Sequence, residues 1–129
     1  MILFDTTVLI DLEREFRKRI DGPATAALRT MPEERPAIST ITVGEFAEGF
    51  VERTFEFFSD RLRPYTVLPL DTRIAWRYGV LSRTMRRKGN RVGDNDLWIA
   101  ATALERTIPL LTRNVRHFSR IDGLDVRGY

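Results

Sequence analysis

The chain has 129 residues, 43% of them apolar, with no cysteine, one histidine, and 21 Lys and Arg against 18 Asp and Glu for a formal charge of +3. That length suits a single domain over residues 1–129 with its own core. The composition excludes disulfides, thiolate catalysis and Cys-ligated metals, leaves only His117 for any zinc site or Ser-His-Asp triad, and contains no apolar run of about 18 residues to span a membrane.

The opening run Ile2-Leu3-Phe4 reads as a short buried strand of the kind found in parallel sheets. Thr6 and Thr7 are placed to cap a helix over about 7–16, with Val8, Leu9, Ile10 and Leu12 near its buried side. Asp21-Gly22-Pro23 is a turn into a second helix, about 23–31, and the stretch from Met31 to Pro36 breaks it. Ala37-Ile38-Ser39 follows as a second strand. From Thr40 or Thr42, the spacing of Val43, Phe46, Ala47 and Phe50 predicts a helix that continues or restarts through Arg53–Leu62.

Tyr65 to Leu70 reads as a third strand. Asp71 then caps a long helix with Ile74, Tyr78, Leu81 and Met85 on one face and Gly89 as its stop. A helix over about 95–106, a strand at 108–111, a loop or short helix at 112–119 and an edge strand near 124–126 complete the chain. Alternating strands and helices predict an α/β protein: three layers, α/β/α, around a mainly parallel sheet of four to five strands.

In such sheets, sites form beyond the carboxyl ends of the strands. Asp5 follows the first strand, Thr112 and Asn114 follow the fourth, Glu45 lies just off the apolar stripe of its helix, and Asp94 and Asp96 open another helix. Carboxylates converging at the edge of apolar segments repel one another and cost free energy unless something pairs with them. Oxygen donors without His or Cys select a hard cation, Mg²⁺ or Mn²⁺. Local roles compete with this at each position. Asp5 reads also as a helix cap, Glu45 as a solvated position, Asp96 as a first-turn acid favoured by the helix dipole, and Asp94 equally as cap or ligand. The Arg-rich charge suits phosphate or carboxylate partners. Arg83, Arg86, Arg87, Lys88 and Arg91 could hold a nucleic-acid backbone, although cations also favour a helix C-terminus whatever the function.

Four segments in order resemble the PIN-domain ribonucleases and, within them, the VapC-like toxins of bacterial toxin–antitoxin pairs. They are FDTTVLIDL, ISTITVGEFAEG, GDNDLWIAATAL and LLTRNVRHFSRIDGLDV, which together span nearly the whole chain. The resemblance implies a metal-dependent endoribonuclease that cleaves RNA and acts as the toxin of such a pair. It implies that Asp5 and Asp96 bind Mg²⁺ (Mn²⁺ substituting), with Glu45 completing the set. Thr6 and Thr112 are implied as supporting or substrate hydroxyls. Where many relatives have another acid, this chain has Asn114, and Asp94 is the candidate to supply the missing carboxylate. A homodimer and a cognate VapB-like antitoxin also follow from the likeness, while the lack of cysteine and of an apolar span already suggests a cytoplasmic, membrane-free setting. Part of the Phe46, Phe50, Phe55, Phe57 and Phe58 cluster is expected to form the partner groove, and Trp76 and Trp98 to lie in the core or an interface.

Two other classes compete. A phosphotransferase using Asp5 as nucleophile would want a second Asp where Thr7 stands. A non-catalytic or weakly catalytic PIN-like module, binding nucleic acid or protein, would be consistent with the missing acid at Asn114.

Overall fold

A computed structural model of the protein describes residues 1–51 and 53–129. Its elements run β1 (Ile2–Phe4), α1 (Thr6–Lys18), α2 (Pro23–Arg29), β2 (Pro36–Ser39), α3 (Thr40–Ala47), α4 (Phe55–Leu62), β3 (Thr66–Leu68), α5 (Thr72–Arg87), α6 (Asp94–Arg106), β4 (Leu110–Leu111), α7 (Val115–Phe118) and β5 (Val126–Arg127). All five strands are parallel and lie in the order β3-β2-β1-β4-β5.

Side chains alternate across the sheet and divide the core in two. Leu3 packs with Ile74, Leu81, Met85 and Leu97 of α5 and α6 and with Phe118 of α7. Ile2 and Phe4 pack on the other face with Val8 and Leu9 of α1, Phe46 of α3 and Phe58 of α4. The three-layer α/β expectation therefore holds.

The chain winds from β1 outward to β3 and then returns to the far side of β1 with β4. That reversal leaves a crevice beyond the carboxyl ends of β1 and β4, the usual place for a ligand in an open α/β sheet.

Local capping departs from the sequence reading in two places. Asp5, rather than Thr6 or Thr7, is the N-cap of α1, because the backbone is still extended there and its carboxylate reaches the Thr6 N–H. Gly93 caps α6, and Asp94 is already its first residue. Ile10 is 46% exposed, not near the buried side of α1, and Trp76 is 73% exposed, not core. Between α3 and α4 the helix does restart, with Thr54 accepting from the Phe57 N–H.

One buried acid braces the first layer. Glu15 is 3% exposed and accepts from the N–H groups of Ala24 and Thr25 (3.0 and 2.8 Å) and the Thr25 hydroxyl (2.6 Å), capping α2 from a different helix. Gly22 belongs to this contact, since a Cβ there would meet the Glu15 carboxylate at 2.2 Å.

Candidate active site

Asp5 stands at the topological crevice, 3% exposed. Its Oδ1 accepts from the Thr6 N–H at 2.8 Å, and its Oδ2 accepts from the hydroxyls of Thr7 and Thr112, each at 2.8 Å. A buried carboxylate persists as a charge only with such donors. The Thr112 contact joins the ends of β1 and β4 across 107 residues of sequence. Thr112 is itself buried, and its oxygen accepts from the Asn114 N–H at 2.9 Å.

Glu45 reaches the same place from the first turns of α3. Its Oε1 accepts from the Thr6 hydroxyl at 2.6 Å and its Oε2 from the Asn95 amide at 3.4 Å. Thr6 thus holds two carboxylates at once, Asp5 through its backbone and Glu45 through its side chain.

Asp96 completes the group from the first turn of α6. Its Oδ2 lies 2.8 Å from Nε2 of His117 on α7. Its pKa is raised, first by burial and then by the negative charges of Asp5 and Glu45, against the opposing influence of His117. Asp96 therefore feels both other acids, as a carboxylate near like charges does.

Asp94 points its carboxylate elsewhere. It accepts from the Tyr78 hydroxyl at 3.2 Å, and Tyr78 stacks flat on Trp98 with ring centroids 4.1 Å apart. Asn114 is exposed at the entry to α7, and Arg87 and Arg91 are exposed at the end of α5 and in the loop beyond it. Neither arginine forms an ion pair among the described residues.

The donor set can be tested against a hard cation by counting lone pairs. A carboxylate offers about four acceptor positions. Asp5 uses three, Glu45 two and Asp96 one, so each retains capacity for an ion and Asp96 the most. As the side chains stand, no group of three or more His, Cys, Asp or Glu among the described residues is close enough together to hold a metal. Donor chemistry fits Mg²⁺ or Mn²⁺; closure of the acids onto an ion would require His117 and the threonine hydroxyls to share their partners.

Sequence reasoning did not bring His117, Thr7 or Asn95 into the site. His117 could have been found from its place three residues past Asn114, where a single helical turn carries it back over the crevice. Beside the site, Asp11 of α1, also 3% exposed, gathers Arg14, both-oxygen contacts from Arg113 Nη1 (2.7 and 3.0 Å) and the Tyr129 hydroxyl (2.7 Å). Arg113 is thereby anchored, and with it the turn that presents Thr112 and Asn114.

Comparison with known proteins identifies the family. The family model for the PIN domain matches residues 2–124. The chain is 32% identical over 130 residues to the ribonuclease VapC1 of Haemophilus influenzae (strain R2866), covering 95% of this chain and 92% of that one. Among solved structures it resembles VapBC-1 from nontypeable Haemophilus influenzae, with a TM-score of 0.79, 30% identity and coverage of 99% and 98% of the two chains. It also resembles a chain of a toxin-antitoxin complex from Klebsiella pneumoniae, with a TM-score of 0.72, 29% identity and coverage of 96% and 95%. The chain belongs to the PIN-domain family and, within it, to the VapC ribonucleases.

Proposed function

We propose that the protein is a Mg²⁺-dependent endoribonuclease, with Mn²⁺ able to substitute, acting in the cytoplasm as the toxin of a toxin–antitoxin pair. The observation that carries this is the set of acids at the crevice between β1 and β4, where Thr6 joins Asp5 to Glu45 and Asp96 feels the charge of both. Those three acids would hold the ion, with Asp94 kept on Tyr78. A bound divalent cation supplies charge neutralisation for a phosphodiester and lowers the pKa of a water. The chain's own residues do the remaining work. Thr6 and Thr112 fix the carboxylates, His117 orients Asp96, and Arg87 and Arg91 hold the RNA backbone, with Asn114 at the mouth of the site.

The partner is proposed to be a VapB-like antitoxin, and the toxin a homodimer within a hetero-oligomer. Two observations support the antitoxin. The chain resembles one from a toxin-antitoxin complex. Phe55 and Phe57 of α4 are exposed (74% and 42%), and a separate groove of about 610 Å³ is walled by Leu12, Phe16, Ile20, Phe46 and Tyr65. No helix among the described residues is long and apolar enough to cross a membrane.

The test is cleavage of labelled RNA by the purified protein with and without Mg²⁺ or Mn²⁺, and by Asp5→Ala and Asp96→Ala. Metal-dependent cleavage lost in both variants is the expected result; unchanged cleavage by both would sink the assignment. Growth arrest on expression, relieved by a co-expressed adjacent gene, distinguishes a toxin from a housekeeping nuclease. A second reading, a PIN-like binding module, rests on the uncharged Asn114 and on acids that stand farther apart than direct coordination of one ion allows. It requires RNA binding without metal-dependent cutting.

A further inference from the structure

A cleft of about 800 Å³ lies between the C-terminal half of α5 and the first turn of α6, outside the acid cluster. Its volume is within the range of small-ligand sites, about 300–1,000 Å³. Met85, Val92 and Leu97 form an apolar floor, 3%, 8% and 3% exposed. Arg86, Asn90, Arg91 and Asp94 stand among the polar lining. Asp94 and Leu97 are three apart on α6 and share one side of its first turn, whereas Asp96 faces α7 from another side. The cleft and the acids therefore flank the same helix start.

Charge and chemistry choose the occupant. Arg83, Arg86, Arg87 and Arg91 form no ion pair among the described residues, while Lys88 is neutralised by Asp122. Cations with no acid of their own beside a cleft suit a polyanion, and the apolar floor suits the face of a base. Asp94, steadied by the Tyr78 hydroxyl, is an acceptor at the rim. A carboxylate accepts from an exocyclic amino group and repels a carbonyl oxygen.

We propose that this cleft is a nucleotide subsite of the RNA: it takes one unpaired nucleotide flanking the cut phosphodiester and favours a base with an exocyclic amino group. The inference rests on the ribonuclease reading above. Arg86 and Arg91 hold the phosphates, Met85, Val92 and Leu97 bed the base, and Asp94 reads its edge.

Binding of short fluorescein-labelled single-stranded RNAs of uniform base tests this, measured by anisotropy on the full chain in chelator, with intact RNA verified on gels. Wild-type protein should bind uniform A and C about 10-fold more tightly than uniform U, the scale of one good base contact. S82W, which fills the cleft from α5, and D94N should each erase that difference. R86A and R91A should weaken all the RNAs alike and each reduce the slope of log K against log salt by about 0.7. Equal binding of all bases by the wild type, or a preference unchanged in both S82W and D94N, overturns the subsite. Loss of antitoxin binding in S82W with RNA binding intact gives the cleft to the protein partner and overturns it too. If the base preference follows the cleft but Mn²⁺ elicits no cleavage, the ribonuclease reading fails and the RNA subsite stands. If RNA is cut and the preference ignores the cleft, the reverse holds.

Discussion

His117 Nε2 lies 2.8 Å from Oδ2 of Asp96, so the chain's only histidine engages an acid whose pKa is raised by burial and by the charges of Asp5 and Glu45. By taking one oxygen, the imidazole fixes the carboxylate's rotation and leaves the other oxygen free. Groups that orient a metal-binding side chain typically contribute about 10–100-fold to affinity or rate. His117→Ala should lower both the cleavage rate and Mn²⁺ affinity by that order, with His117→Asn recovering part of each. Calorimetric Mn²⁺ titration beside initial rates checks it, and unchanged affinity in His117→Ala would remove the orienting role.

The raised pKa of Asp96 carries a sign for stability. Its folded form binds a proton more tightly than its unfolded form, so its contribution is full below the ordinary value of 3.8 and is lost as pH rises through the raised value. At neutral pH without divalent ions, the ionised carboxylate is a burden on the fold. Asp96→Asn should therefore melt higher than wild type at pH 7, with the gap closing in acid, while losing cleavage. Added Mn²⁺ should raise the melting temperature of the wild type but not of the variant. Thermal melts across pH decide this; a variant that melts lower at pH 7 contradicts it.

Glu15 has the opposite sign. Burial alone would raise its pKa, but hydrogen bonds from Thr25 and Ala24 outweigh burial and the net shift is downward. Its stabilisation is present above the ordinary value of 4.5 and disappears as pH falls through the lowered one. Glu15→Gln should cost roughly 1–3 kcal/mol at neutral pH, the usual penalty for buried donors left short of an acceptor. In urea titrations the deficit should shrink in acid. Gly22→Ala should destabilise through the same contact, because the added methyl collides with that carboxylate.

The exposed phenylalanines separate folding from partner binding. Phe55→Ser removes apolar surface that the monomer leaves largely in water, so the melting temperature should change little. Antitoxin affinity should fall by about 10-fold or more, the loss expected when central aromatic contacts are truncated. A pull-down titration against co-expressed antitoxin reads the difference; full retention of binding places the interface elsewhere.

Much of this architecture was legible from period and punctuation. Ile2-Leu3-Phe4 announced a buried strand, Pro23 opened α2, and Asp71 capped α5 as expected, accepting from the Ile74 N–H at 2.9 Å. The approach of Asp5 and Glu45 followed from parallel-sheet topology, which returns a helix start to the strand's carboxyl edge, and Thr6 joins the two. What the sequence could not convey was choice among equivalent donors. Asp5, Thr6 and Thr7 are adjacent polar residues, and tertiary contacts to Glu45 and Thr112 decide which of them caps. Asp94 and Asp96 differ by two positions, about 200° around a helix, yet one meets α5 and the other α7. His117 stayed silent because a four-residue helix carries too little periodicity to declare where its side chains point.

The Asp5–Thr112 bridge also fixes when, during synthesis, a working site can exist. Asp5 leaves the ribosome first, then Glu45, then Asp96, while Thr112 follows Asp5 by 107 residues and His117 comes later still. Contacts of such sequence separation form late because a long loop must close first. A nascent chain that stops short of α6 holds the first two acids without the third, and one that stops short of β4 lacks the brace on Asp5 and the partner of Asp96. If the proposed acids and His117 do the cutting, the topology would leave the ribosome-bound chain without a complete site until the segment through His117 has been made.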